Sequence, residues 1–150
     1  ADFAINHPAG SLGKQLTMTV ADLMLPARQL PALDPDTPLP EVISQLTQGA
    51  IGSGWVEHPS FTGQLLGLIT DGDLRRALRD HSSDTWADLK ASDLMTIDPI
   101  TVMADLMAVE AIQRMENNRR KPISVLPVVN ASGQLVGLLR LHDLVQAGLT

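Results

Sequence analysis

The sequence predicts an α+β fold built from two copies of one small unit, because two segments recur along the chain at nearly the same offset. The triplet Asp22-Leu-Met24 recurs 71 positions later as Asp93-Leu-Met95. The segment Gln64–Leu74 recurs 70 positions later as Gln134–Leu144. Neither copy is large enough to bury its own apolar faces. We therefore expect the two copies to pack sheet against sheet as one module with pseudo-two-fold symmetry.

In the first repeat the residue pattern predicts strand, helix, strand, strand and helix. A short extended stretch near Leu30–Leu33 precedes an amphipathic helix. That helix is predicted from prolines at its start and from apolar residues at helical spacing, namely Leu39, Val42, Ile43 and Leu46. Two strands, Trp55–Glu57 and Leu65–Thr70, then form a hairpin. A last helix covers Asp71–Arg79.

The second repeat predicts the same order of elements. It begins with an extended stretch, Ile100–Val102, followed by a helix that ends at Asn117-Asn118. The helix is predicted from Leu106, Val109, Ile112 and Met115. Strands Ile123–Val129 and Leu135–Leu139 flank a turn that ends in glycine, and the helix His142–Ala147 closes the repeat. The predicted boundaries are 1–18 for a preceding linker, 19–80 and 91–150 for the repeats, and 81–90 for the linker between them.

Composition and charge exclude several classes of protein. Hydrophobic residues make up 44% and charged residues 19% of the chain, which is typical of a folded domain. The net charge is −6 and the one dense basic cluster is Arg119, Arg120 and Lys121, so nucleic acid is not an expected partner. Apolar runs fall short of the roughly 18 residues that span a bilayer. The absence of cysteine excludes disulfides and thiol catalysis, and it fits the cytoplasmic protein that we expect. No two histidines have the spacing of a helical metal site.

Two stretches of sequence carry a family resemblance. Ile123-Ser-Val-Leu-Pro-Val-Val-Asn-Ala-Ser-Gly-Gln-Leu-Val-Gly-Leu-Leu139, followed by His142-Asp-Leu144, resembles the second half of a CBS repeat. Leu66-Gly-Leu-Ile-Thr-Asp-Gly-Asp-Leu74 resembles its counterpart in the first repeat. The resemblance runs from Val20 to the carboxyl end. It implies a tandem CBS pair, which binds nucleotides or related ligands in clefts between repeats, regulates an attached enzyme or transporter, and commonly dimerises.

A narrower resemblance concerns the amino-terminal residues. Asp2-Phe-Ala-Ile-Asn-His-Pro-Ala-Gly-Ser-Leu-Gly-Lys14 is similar to the segment that joins the sugar-isomerase domain to the CBS pair in D-arabinose 5-phosphate isomerases. Thr70–Arg76 and Leu141–Gly148 are also similar to that family. The resemblance implies the regulatory part of such an isomerase, without its catalytic domain. His7 matches an active-site histidine of the family, and we expect it to be inactive here because the glutamates and phosphate-binding loop of that domain are missing.

Thr70 and Asp73 are the leading candidates for ligand binding, because they stand where a strand becomes a helix. A carboxylate can accept both hydroxyls of a ribose, and a hydroxyl with free backbone N–H groups at a helix start can hold a phosphate. The same Thr-x-x-Asp spacing is also a capping box, which satisfies those N–H groups without any ligand. The sequence leaves both interpretations open.

The second repeat departs from this pattern. Arg140 stands where Thr70 stands, while Asp143 matches Asp73. Arg140 either reaches a phosphate or fills the cleft, so the two half-sites are not expected to be equivalent. His142 either contacts a ligand or is simply exposed.

The basic cluster is a further candidate. Arg120 and Lys121, next to Arg119, follow a predicted helix, where cations stabilise the helix end. They also precede the strand that lines the cleft in the family, so they are candidate phosphate contacts.

Two hypotheses follow for function. The first is a regulatory module that senses a nucleotide or nucleotide-sugar acid for an arabinose 5-phosphate isomerase of the lipopolysaccharide octulosonate pathway. Its ligand would be an adenine nucleotide or octulosonate linked to cytidine monophosphate, and its partners would be its own sugar-isomerase domain and a second copy. The alternative is a structural module that assembles the parent enzyme and binds nothing. An enzyme within this chain is not expected, since no catalytic constellation is evident.

Overall fold

The computed structural model describes residues 17–117 and 123–149. Within these, the helices in chain order are α1 Val20–Leu23, α2 Leu39–Gly49, α3 Asp71–Asp80, α4 Ala91–Leu94, α5 Ala108–Glu116 and α6 Leu141–Gln146. The strands are β1 Leu25–Pro26, β2 Ala32–Leu33, β3 Ser53–Glu57, β4 Leu65–Thr70, β5 Thr96–Ile97, β6 Val102–Met103, β7 Val125–Val129 and β8 Leu135–Arg140. Short 3-10 helices occupy Ala27–Gln29 and Ser83–Asp88. This mixture of helices and two mixed sheets is the α+β class that the sequence predicts.

The opening segment of each repeat packs with the body of the other repeat. One compact unit, the amino-terminal unit, consists of Pro26–Ile100 and Ala131–Leu135. The carboxy-terminal unit contains the described parts of Ala1–Leu25, Thr101–Asn130 and Val136–Thr150. Each Asp-Leu-Met segment therefore lies in the unit formed by the other repeat, and the compact units do not follow the repeats along the sequence.

The amino-terminal unit contains a four-stranded sheet of order β2-β3-β4-β5. β2 runs parallel to β3, while β3 pairs antiparallel with β4 and β4 with β5. Helices α2, α3 and α4 cover one face of this sheet. Their apolar residues share one core with the strand residues on that face: Leu33, Leu39, Val42, Leu46, Val56, Ile69, Leu74, Ala77, Leu89, Ala91 and Leu94.

The sheet β1-β8-β7-β6 belongs to the carboxy-terminal unit, and β6 runs parallel to β7. Its core combines strand residues with α1, α5 and α6: Val20, Val102, Ala108, Ala111, Ile112, Met115, Leu126, Val128, Leu139 and Leu144. The core is therefore arranged like that of the first unit, with helices packed on one face of a mixed sheet.

Some boundaries differ from those that the sequence predicts. α5 begins at Ala108, because Met107 is extended and caps it, so Leu106 precedes the helix and packs on the core from outside it. β1 and β5 have only two residues each, which is too short for a recognisable periodicity. The predicted linker 81–90 contains a 3-10 helix, and Leu89 at its end is buried in the core of the amino-terminal unit.

The tips of the two predicted hairpins meet in the amino-terminal unit. Gln64 and Gln134 occupy equivalent positions in the two repeats and form an antiparallel bridge. The Gln64 side chain donates through Nε2 to the carbonyl of Ser132 at 2.6 Å, and Leu135 N donates to the carbonyl of Gly63 at 2.9 Å. Among the residues described, no helix has the length and apolar character needed to cross a membrane.

Candidate functional site

Thr70 and Asp73 form a reciprocal cap at the start of α3. Thr70 is the extended residue before the helix, and its Oγ1 accepts from Asp73 N at 3.2 Å. The Asp73 carboxylate in turn accepts through Oδ2 from Thr70 N at 2.9 Å and from Thr70 Oγ1 at 3.1 Å. The pair is thus the capping box that the spacing allows, and it holds both side chains at the junction of β4 and α3.

The other oxygen of Asp73 is also engaged. Arg76 Nη2 donates to Oδ1 one helical turn along, and Thr96 Oγ1 lies 3.4 Å from the same oxygen. Asp73 is only 8% exposed, whereas the Arg76 side chain is 43% exposed. A buried carboxylate is stable when ionised only if it is hydrogen-bonded, and these donors satisfy it within the chain. Any ligand group that binds Oδ1 must replace Arg76 or Thr96.

Two guanidinium groups lie beside the amino-terminal end of α3. A Cβ atom placed on Gly72 would be 3.5 Å from Arg76 Nη1 and 3.8 Å from Arg75 Nη2. Both guanidinium groups therefore lie within ordinary contact distance of the place that a side chain at position 72 would take. The carboxylates of Asp71 and Asp73 also lie in this first turn. Attraction of an anion here therefore depends on the helix dipole together with Arg75 and Arg76.

The face of the β2-β3-β4-β5 sheet opposite the helices carries residues of a different character. Ser53 lies directly opposite Thr70, and Trp55 lies opposite Leu68. Residues paired across two strands share one face, so these four side chains lie on the same side of the sheet. Ser53 is 4% exposed and Trp55 is 6% exposed. Sequence reasoning did not select Ser53 or Trp55, because a buried tryptophan in a strand is typical of a core.

The second half-site is organised differently. Arg140, the residue before α6, donates from Nε to Asp143 Oδ2 and from Nη2 to Asp143 Oδ1, both at 2.8 Å. This bidentate salt bridge takes the place that the capping box has in the first repeat. The hydrogen bond to Asp143 raises the pKa of Arg140 above its ordinary value, so the arginine stays charged. In the carboxy-terminal unit, the Arg140 guanidinium and the Asp143 carboxylate are therefore bonded to each other.

The remaining sequence candidates are not part of these arrangements. His142 is exposed near the start of α6. Arg119, Arg120, Lys121 and His7 lie outside the described residues. Among the residues that the structure describes, no three histidine or acidic side chains come close enough together to hold a metal ion.

Two open cavities of the amino-terminal unit lie away from Thr70 and Asp73. One, of about 390 Å³, is lined by seven residues, of which two are acidic: Ala32, Leu33, Asp34, Glu57, His58, Pro59 and Thr62. The other, of about 460 Å³, lies between Arg28–Pro31 and α2. The first cavity has no arginine in its lining and the second has one, whereas the α3 start has Arg75 and Arg76 beside the carboxylates of Asp71 and Asp73.

Comparison with known families identifies the two repeats. The model of the CBS domain matches residues 20–80 and 91–150, which is most of the chain. The chain belongs to the CBS domain family. It contains two CBS domains in tandem, as the repeat at offsets of 70 and 71 residues predicts.

The CBS pair is similar to part of known sugar-phosphate isomerases. It is 40% identical over 142 residues to the arabinose 5-phosphate isomerase KpsF of Escherichia coli, covering 95% of this chain and 41% of that protein. It is 39% identical to the arabinose 5-phosphate isomerase KdsD of Pseudomonas aeruginosa, covering 99% of this chain and 43% of that protein. The chain thus spans about two fifths of the length of these relatives.

A solved structure shares the fold. The crystal structure of CBSX2 in complex with AMP superposes with a TM-score of 0.68 at 28% identity, covering 87% of this chain and 96% of that one. The similarity extends over both repeats, so the arrangement of elements within each unit is that of a known CBS pair.

Proposed function

We propose that this CBS pair binds a nucleotide and regulates an attached arabinose 5-phosphate isomerase. The observation that carries the proposal is the start of α3, where the guanidinium groups of Arg75 and Arg76 lie beside Gly72 and the Thr70–Asp73 cap. A CBS pair of similar fold forms a complex with AMP, and relatives at about 40% identity are isomerases. The ligand class is a nucleotide, with an adenine nucleotide or octulosonate linked to cytidine monophosphate as the two candidates.

The charges suggest how the ligand is held. The phosphate lies at the first turn of α3, where the helix dipole and the guanidinium groups of Arg75 and Arg76 attract it. Arg76 is the partner of Asp73 that solvent reaches most easily, because 43% of its side chain is exposed. When Arg76 turns to the phosphate, Asp73 Oδ1 becomes available to the ribose hydroxyls. Oδ2 stays on Thr70, so the cap is kept while the ligand binds.

The carboxy-terminal unit contributes less to binding under this proposal. Its Arg140 and Asp143 satisfy each other, and displacing Arg140 breaks two hydrogen bonds of 2.8 Å. We therefore propose one principal nucleotide site for each chain, in the amino-terminal unit. Self-association through the CBS pair and contact with the isomerase domain complete the regulatory role.

A calorimetric titration tests the proposal. The chain is titrated with AMP, ATP and octulosonate linked to cytidine monophosphate, and we expect saturable binding of at least one of them at one site per chain. The variant that removes both arginines, Arg75→Ala with Arg76→Ala, should lower the affinity by at least about 10-fold, because hydrogen bonds to charged groups contribute about 1.5–3 kcal/mol each. The matched control is Arg140→Ala, which should leave the affinity unchanged. Failure of every nucleotide to bind at millimolar concentration contradicts the proposal.

One observation favours the alternative of a structural module. Asp73 accepts hydrogen bonds from Thr70, Arg76 and Thr96 without a ligand, so the capping box is complete by itself. A structural module predicts that nucleotides leave the melting temperature unchanged, whereas a bound ligand raises stability by RT ln(1 + [L]/Kd). Thermal unfolding with and without nucleotide separates the two.

A further inference from the structure

The opening segment of the first repeat is held by backbone hydrogen bonds in the carboxy-terminal unit. Val20 N donates to the carbonyl of Leu106 at 2.8 Å, and Ala21 N donates to the carbonyl of Ala104 at 2.9 Å. Val20 is also fully buried in the core of this unit. We call these two hydrogen bonds the clasp. The segment that is similar to the isomerase linker, Asp2–Lys14, comes just before the clasp along the chain.

The opening segment of the second repeat is held in the same way. Ala91 N donates to the carbonyl of Thr37 at 2.8 Å, and Ser92 N donates to the carbonyl of Pro35 at 2.9 Å. In both places, the bonds fix an incoming segment to a unit that is formed mainly by the other repeat. In the first repeat, this arrangement fixes the segment that would lead from a preceding domain.

The acceptors of the clasp lie on the same stretch of chain as a contact of the candidate site. Thr96 in β5 places its Oγ1 3.4 Å from Asp73 Oδ1. From Thr96 the chain continues through β6 to Ala104 and Leu106, whose carbonyls accept the hydrogen bonds of the clasp. A group that takes Asp73 Oδ1 from Thr96 therefore acts on the stretch that carries both acceptors.

The connection between β5 and β6 has little backbone freedom. Asp98 has a φ of 47°, in the left-handed region that residues other than glycine rarely adopt. Pro99 follows it, and the proline ring fixes φ near −65°. The chain leaves the amino-terminal unit at Ile100 and enters the carboxy-terminal unit at Thr101. A connection with few accessible conformations transmits a displacement from one end to the other, whereas a flexible connection absorbs it.

We infer that the segment from Thr96 to Leu106 couples the candidate nucleotide site to the clasp, so that a ligand on Asp73 loosens the hold on the incoming segment. The inference rests on the proposed function, which supplies the ligand and the attached isomerase domain. A ribose hydroxyl that replaces Thr96 on Oδ1 frees β5, and the carbonyl of Ala104 is then held less firmly. The attached domain thus responds to the nucleotide through the carboxy-terminal unit, although the ligand contacts the amino-terminal unit.

Hydrogen exchange of the Val20 and Ala21 amides measures the clasp directly, because both amides are donors in it. Thr96→Val keeps the shape of the side chain and removes the hydroxyl that contacts Asp73. We expect this variant, without any ligand, to speed the exchange of both amides by at least about 5-fold, the lower end of the coupling found between distant sites.

Two controls separate coupling from a general loss of stability. The Leu141 amide donates to the carbonyl of Ser124 at 2.8 Å in the carboxy-terminal unit, outside the coupling segment, so its exchange should change less. Thr47→Val is the matched control variant. The Thr47 hydroxyl donates to the carbonyl of Ile43 at 2.7 Å on α2, and its removal should leave the clasp unchanged.

AMP should have the same effect as Thr96→Val. At saturation it should speed the exchange of the Val20 and Ala21 amides by at least about 5-fold. This direction is distinctive, because a bound ligand slows exchange that occurs through global unfolding. Pro99→Gly makes the connection flexible, and it should reduce the effects of both AMP and Thr96→Val.

The outcomes distinguish the inference from the proposed function. If Thr96→Val speeds the exchange of Val20 and Ala21 no more than that of Leu141, the inference is wrong, whether or not a nucleotide binds. If AMP binds and leaves the exchange of Val20 and Ala21 unchanged, the inference is also wrong and the proposed function stands. If Thr96→Val acts as expected and no nucleotide binds in the titration, the proposed function fails, while the coupling of Asp73 to the clasp is supported.

Discussion

Met95 lies directly against Gly67, and a Cβ atom built on this glycine would be 2.5 Å from the methionine sulfur. Met95 opens the second repeat, whereas Gly67 lies in β4 of the first. The same relationship holds in the carboxy-terminal unit, where a Cβ atom on Gly137 would be 2.5 Å from the sulfur of Met24. In each unit, the methionine of the other repeat's opening segment packs against the sheet. A glycine in the sheet leaves room for that methionine side chain.

Gly67→Ala should destabilise the chain by about 1–3 kcal/mol, because the new methyl group overlaps the Met95 side chain in a packed region. Met95→Ala removes the two closest atoms, Sδ and Cγ, and keeps Cβ at 3.0 Å, so it should relieve part of the overlap. A double-mutant cycle measured by urea unfolding should give a coupling energy of about 0.5–3 kcal/mol. Strict additivity of the two substitutions would contradict this packing. Gly72→Ala is the control, since its Cβ has ordinary contacts of 3.5 Å or more and should cost little.

Gly137→Ala should be rescued less well by shortening its methionine. A Cβ atom at this position would also be 2.6 Å from the carbonyl oxygen of Leu25, which is backbone and cannot move without disturbing β1. We expect a loss of at least about 1–3 kcal/mol. The coupling with Met24→Ala should be smaller than the coupling of Gly67→Ala with Met95→Ala. Equal coupling energies in the two units, measured under the same conditions, would show that the backbone contact is relaxed.

Asp73→Asn should destabilise the unliganded chain more than Asp143→Asn. Asp73 is 8% exposed and accepts from Thr70, Arg76 and Thr96, whereas Asp143 is 20% exposed and accepts from Arg140. In the Asn variant an amide NH2 group faces the N–H and O–H donors that bond Asp73. We therefore expect the free energy of unfolding to fall by about 1.5–3 kcal/mol at position 73. The Arg140–Asp143 pair is only partly buried, and we expect a loss of about 1 kcal/mol at position 143. Denaturant unfolding of both variants measures the difference, and equal losses would refute it.

Gln64→Ala should cost about 0.5–1.5 kcal/mol, because it removes a hydrogen bond that joins residues far apart in sequence. The Gln64 amide donates to the carbonyl of Ser132 at 2.6 Å, at the point where the two hairpin tips meet. Gln45→Ala is the control. It removes a local bond of 3.2 Å to Glu41 on the exposed side of α2, which should be worth less than about 0.5 kcal/mol. A loss no larger than that of the control would mean that the joined tips do not stabilise the fold.

Much of the fold was predictable from periodicity and repetition. The spacing of Leu39, Val42, Ile43 and Leu46 predicts α2. Leu39, Val42 and Leu46 are buried, whereas Ile43 is 38% exposed. The Thr70-x-x-Asp73 spacing allows a capping box as one of two interpretations, and the capping box is present in the structure. Binding of a nucleotide at Thr70 and Asp73 stays a prediction. The partners Arg76 and Thr96 were not predictable, because one depends on a rotamer and the other is 23 residues away along the chain.

The sequence by itself determined the class, the two repeats and the local motifs, because these depend on residue spacing within a few turns of helix or strand. Only the tertiary structure decided that each Asp-Leu-Met segment packs with the other repeat, since a two-residue strand has no pattern that names its partner. It likewise decided that Gly67 leaves the space that Met95 occupies, and that the Trp55 N–H is buried without an acceptor among the described residues. Such contacts depend on which atoms meet between segments that are distant in sequence. A buried polar group without a hydrogen-bond partner lowers the stability of the fold.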